Sequence, residues 1–70
     1  MKQPTPAQIR AAREAAGLTQ SQAAELVHAG SYRTWQNWER DAGDVEAREM
    51  PLASWELFRL KVADLAARKT

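Results

Sequence analysis

Cysteine is absent from the sequence, so neither disulfides nor thiolate metal sites can brace the fold. Long apolar runs are missing too. Nothing approaches the roughly 18 consecutive apolar residues of a membrane span, and the N-terminus lacks the apolar run of a signal peptide. No membrane partner is expected, and a cytoplasmic location follows by default. Charge of one sign is also lacking: ten Lys and Arg against nine Asp and Glu leave a net charge of +1, so composition alone argues for no polyanionic partner. There is no strand alternation, internal repeat, low-complexity tract or phosphate-cradling glycine loop. What remains is 70 residues of ordinary apolar content, 44%, enough for one small domain whose stability must come from packed helices, with or without a partner chain.

Capping residues divide the chain into four helical segments. Thr5-Pro6-Ala7-Gln8 joins a hydroxyl cap, proline at the first helical position and glutamine at the third, which together satisfy the free amides of a starting helix. A first helix is therefore expected from about Pro6 to Gly17, with Ile9, Ala12 and Ala16 facing inward. Thr19 with Gln22 repeats the device and opens a short helix over Gln20 to Val27, in which the small Ala24 lets a neighbour approach closely. His28-Ala29-Gly30 breaks the pattern, and Ser31 offers a cap for a third helix from about Tyr32. Residues 41 to 50, DAGDVEAREM, have no clear period and read as a loop. Pro51 opens a long last helix to about Ala67, with an apolar stripe of Leu52, Trp55, Phe58, Val62 and Leu65 that Leu57 and Leu60 widen. The expected fold is all-α, a small helical bundle containing a helix-turn-helix and ending in a long helix, as one domain over residues 1–70.

The segment SYRTWQNWER carries two faces. Trp35 and Trp38, at i and i+3, point the same way and are expected to anchor the helix in the core. Arg33, Thr34, Gln36, Asn37 and Arg40 lie largely on the other side. A short helix, a glycine-bearing turn and a second helix with this division can present a recognition helix to the DNA major groove. An ordinary solvated face is the plainer alternative for those polar residues.

"GLTQSQAAELV", a short turn and "RTWQNWE" resemble the helix-turn-helix core of phage repressor and Cro-like (Xre-type) DNA-binding domains, over roughly residues 6 to 41. "MPLASWELFRLK" resembles the end of a subgroup of very small phage-associated regulators that includes anti-CRISPR-associated autorepressors. The resemblance implies that Tyr32, Arg33, Gln36 and Asn37 contact bases, and that Thr19, Gln20, Arg40 and Arg48 contact phosphates. It also implies an internal ion pair between Arg13 and Glu39. Helical spacing indicates the same pair independently, because each charge lies four residues beyond an apolar inward residue, Ile9 or Trp35. The turn HAGS exceeds the family's usual link by a residue, which leaves the division between base and phosphate contacts open.

These readings imply a sequence-specific regulator of transcription, a repressor that binds an inverted repeat in double-stranded DNA as a homodimer and occludes a promoter. The dimer interface is expected on the last helix, through Trp55, Leu57, Phe58, Leu60, Val62 and Leu65, because that band is wider than three short helices can cover. An antitoxin or interaction module, with the last helix gripping a second protein, is the alternative. An RNA binder fits less well, since sheet-borne aromatics and basic tracts are missing. No enzyme activity, cofactor, metal or small-molecule ligand is expected. The single histidine, His28, reads as a turn residue, the acids of 41 to 50 as a solvated loop, and Thr19 and Ser31 as caps without a neighbouring base.

Overall fold

A computed structural model describes residues 3–41 and 43–68. Four helices follow one another: α1 (Pro6–Ala15), α2 (Gln20–Leu26), α3 (Tyr32–Trp38) and α4 (Leu52–Arg68), and no strand occurs among the described residues. Residues 41–51 are non-helical where described, as expected of the acidic loop; Ala42 lies outside the described residues.

The helix ends follow from their capping chemistry. Thr5 and Thr19 each accept a hydrogen bond from the amide three residues on, while Gln8 and Gln22 accept from the threonine amides, so both capping boxes are complete. At the far end of α1, Gly17 takes φ 72°, with Gly17 N–H donating to Glu14 O and Leu18 N–H to Arg13 O. That is the paired closure in which a left-handed residue satisfies the last carbonyls of a helix. α2 ends in the same way, but the left-handed residue is His28, at φ 58°, with His28 N–H donating to Glu25 O and Ala29 N–H to Ala24 O. The glycine of the turn, Gly30, does not carry the positive φ. Ser31 occupies the cap position of α3, yet its side chain makes no capping hydrogen bond, contrary to the expectation from sequence.

The core draws on every helix: Ile9 from α1, Ala23, Ala24 and Val27 from α2 and its end, Trp35 and Trp38 from α3, and Phe58 from α4. Met50 joins them from the loop with no exposed surface, and Pro4 is buried just before α1. The two alanines let α2 and α3 pack closely, which is the most extensive contact between helices. Trp35 sits at the centre, its ring 5.6 Å from Trp38 in an edge arrangement and 4.9 Å from Phe58. Phe58 in turn stacks on Trp55 at 6.2 Å. Such aromatic pairs add about 0.5–1.5 kcal/mol each beyond the area they bury.

Phe58 is thereby corrected as an interface residue, because it has no exposed surface and closes its own subunit's core over Trp35. Trp55, Leu57 and Val62 pack partly against the same core. Of the expected apolar band, Leu60 and Leu65 stay exposed, at 70% and 37%. The band is narrower than its helical period suggested, since Phe58 is buried and Trp55, Leu57 and Val62 pack partly against the core. No described helix is long and apolar enough to cross a membrane.

Candidate nucleic-acid interface

Helix α3 owes its fixed orientation to one buried carboxylate. Glu39, 3% exposed, is the sole charged residue among the buried ones described. Arg13 of α1 donates to it through Nε at 2.6 Å and Nη2 at 3.1 Å, Gln20 of α2 through Nε2 at 3.2 Å, and Trp35 of α3 through its indole N–H. Arg10 approaches at 3.7 Å and donates to the Glu39 backbone carbonyl at 3.3 Å. Arg13 also donates to Leu18 O at 2.9 Å, tying the end of α1 to the same cluster. Burial alone would raise the Glu39 pKa, but the hydrogen bonds from Arg13, Trp35 and Gln20 outweigh it and hold the carboxyl below its ordinary value. The Glu39 hydrogen bond raises the Arg13 pKa against the opposing effect of burial. A buried charge is tolerable only when paired and hydrogen-bonded in this manner. Three helices therefore meet at one ionised group.

With Trp35 and Trp38 turned inward, α3 exposes the opposite face. Tyr32, 54% exposed, and Arg33 stand in solvent at its N-terminal turn, and Gln36 is half-buried one turn on. Neither Arg33 nor Gln36 makes a side-chain hydrogen bond or ion pair within the described chain, so both are free to meet a ligand. Beyond Gln36, Arg10, Gln20, Arg40, Asp41 and Asp44 line a polar depression of about 320 Å³.

Asn37 and Arg40 are placed differently from Tyr32 and Arg33. The Asn37 Oδ1 accepts from Arg40 Nε at 2.9 Å, and Arg40 makes ion pairs with Asp44 at 3.3 Å and Glu46 at 3.4 Å. Asp44 accepts the Glu46 amide, which chiefly lowers its pKa, with Arg40 contributing. Arg48 is exposed and donates to the carbonyls of Val45 and Ala47. Of the residues assigned to phosphates, Thr19 uses its hydroxyl to cap α2, and Gln20 gives its amide to Glu39. Gln20 thus ties α2 to the core, a role its place beside a helix N-terminus concealed. The acidic partners of Arg40 were also missed; the i, i+4 spacing of Arg40 and Asp44 was the available signal.

Among the described residues, no group of three or more His, Asp or Glu is arranged to hold a metal ion. No family model matches the chain, and no curated protein matches it.

Proposed function

We propose that this protein is a sequence-specific regulator that binds double-stranded DNA through α3, a repressor that occludes a promoter as a homodimer on an inverted repeat. The observation carrying the reading is the split of α3: two tryptophans buried inside, Trp35 bonded to Glu39 and Trp38 packed on Trp35, and Tyr32, Arg33 and Gln36 on the other side. A rigid helix with an outward arginine and amide suits the major groove, where arginine pairs with guanine and glutamine with adenine. α2, packed closely against α3, would brace it from behind as the first helix of a helix-turn-helix does. The similarity of "GLTQSQAAELV" and "RTWQNWE" to Xre-type repressors, and of "MPLASWELFRLK" to small phage-associated regulators, supports the same reading.

The near-neutral charge is compatible with this function. Setting aside residues 41–49, the chain has nine basic and five acidic residues, so the basic excess lies outside the acidic loop that packs beside α3. The homodimer is now proposed through the second half of α4, where Leu60 is exposed and, on another side of the helix, Leu65 lines a groove with Ala12, Ala15, Ala16, Leu18, Val62 and Ala66. A two-fold pair would carry its two α3 helices to half-sites about 34 Å apart. Selection of bound duplexes from a random pool tests the reading. Enrichment of a short inverted repeat supports it, and recovery of no preferred sequence rejects it.

A further inference from the structure

The acidic loop is folded back on the C-terminal end of the proposed recognition helix. The Arg48 amide donates to Asn37 O at 3.2 Å, and the Asp44 amide donates to Asp41 O at 2.9 Å, which brings the loop's carboxylates beside α3. There Arg40 is engaged by its own chain. Its Nε donates to Asn37 Oδ1 at 2.9 Å, its Nη1 meets Asp44 Oδ2 at 3.3 Å and its Nη2 meets Glu46 Oε2 at 3.4 Å. Each nitrogen of the guanidinium lies near an acceptor, and two of those acceptors are anions, so a DNA phosphate would have to compete with them for the remaining N–H groups.

We infer that Asp44 and Glu46 stand in for phosphate, holding Arg40 as a positioning residue that turns the amide of Asn37 toward one kind of base edge. This rests on the DNA-binding reading above. The chemistry is specific. Asparagine reads adenine by accepting at Oδ1 from N6–H and donating from Nδ2 to N7. Here Oδ1 already accepts from Arg40, while Nδ2 has no partner within the described chain and is not sealed from solvent. With one of the two Oδ1 lone pairs committed to Arg40, Asn37 offers its Nδ2 donor more freely than its acceptor, which favours the acceptor edges of guanine or of thymine O4 over the mixed edge of adenine. The loop thus lowers affinity for any backbone while fixing what one base-reading residue accepts. Arg33, with no side-chain partner among the described residues, carries no such constraint.

The test compares the parent with the Asp44→Asn/Glu46→Gln double variant on a duplex chosen from a random pool and on a scrambled duplex. Freed of its carboxylates, Arg40 gains a phosphate: the slope of log affinity against log salt steepens by about one, and scrambled DNA binds roughly three-fold tighter. Asn37, no longer held, then accepts adenine at the base pair where the parent disfavours it. An unchanged salt slope and unchanged base preference in the variant overturn the inference while leaving the DNA-binding reading intact. A parent that binds neither duplex overturns both. Should the double variant melt early, Glu46→Gln alone, which preserves the Asp44 turn, must show the same direction of change; no change there also counts against the inference.

Discussion

The indole N–H of Trp35 donates to the Glu39 carboxylate one turn further along the chain, so a fully buried aromatic ring and the most buried charge among the described residues are partners. The consequence reaches beyond one hydrogen bond. Arg13 and Gln20 converge on the same carboxylate, and the direction in which α3 presents Tyr32 and Arg33 is set jointly by α1, α2 and the aromatic core.

Removing the hub leaves Arg13, itself mostly buried, without its anion. Glu39→Ala should cost roughly 3 kcal/mol, the range for breaking a buried pair by deleting one member. Urea unfolding measures it directly. A variant with the parent's midpoint would show that both charges are solvated.

The same carboxylate makes stability depend on pH. Its folded pKa lies below the ordinary glutamate value of about 4.5. As pH falls, the unfolded chain takes up the proton first, so the stability from this group is complete above the ordinary value and is lost as pH falls through the lower folded one. Thermal midpoints between pH 6 and pH 3 should therefore drop more steeply for the parent than for Glu39→Gln, which has no such proton to bind. Parallel curves would contradict this.

His28 holds a left-handed conformation that costs an L-residue about 1–2 kcal/mol, and glycine adopts it freely at a smaller entropic loss. Its ring lies 3.2 Å from Lys61 Nζ in an exposed contact that contributes little. His28→Gly should raise stability by about 0.5–1 kcal/mol, read from the thermal midpoint, whereas His28→Val, with a branched side chain at the same φ, should lower it.

Leu60 projects from α4 with most of its surface in water. If α4 pairs with its counterpart in a second subunit, Leu60→Glu places like charges at the two-fold interface and yields a monomer at micromolar concentration without lowering the subunit's own melting midpoint. Light scattering with mass determination reads the outcome. A parent that is monomeric at the same concentration removes the dimer.

Much of the fold was legible because local chemistry and packing agree. Thr5 with Gln8 and Thr19 with Gln22 marked two helix starts that the structure closes with complete capping boxes, and Gly17 marked an end. The spacing of Trp35 and Trp38 gave the inward face of α3, and Ala24 gave the close approach. Other features depend on contacts that no local pattern encodes. The left-handed position at the end of α2 fell on His28 rather than on Gly30, because closure geometry counts residues from the last carbonyls and not from the nearest glycine. Met50 is buried although the charged Arg48 and Glu49 directly precede it, and Phe58 is withdrawn from the surface by Trp35, 23 positions away in sequence. Gln20 looked available for phosphate, but its acceptor Glu39 lies 19 positions away, whereas for Arg40 the i, i+4 spacing to Asp44 was a local signal.

The outward side chain of α3 that should carry most sequence information is Arg33. Its replacement by alanine, measured by titrating a pool-selected duplex and its single-base variants at fixed salt, should cost about 1–3 kcal/mol and relax preference at one or two base pairs. If Arg33→Ala matches the parent in both affinity and preference, the exposed side of α3 is not the surface that reads DNA.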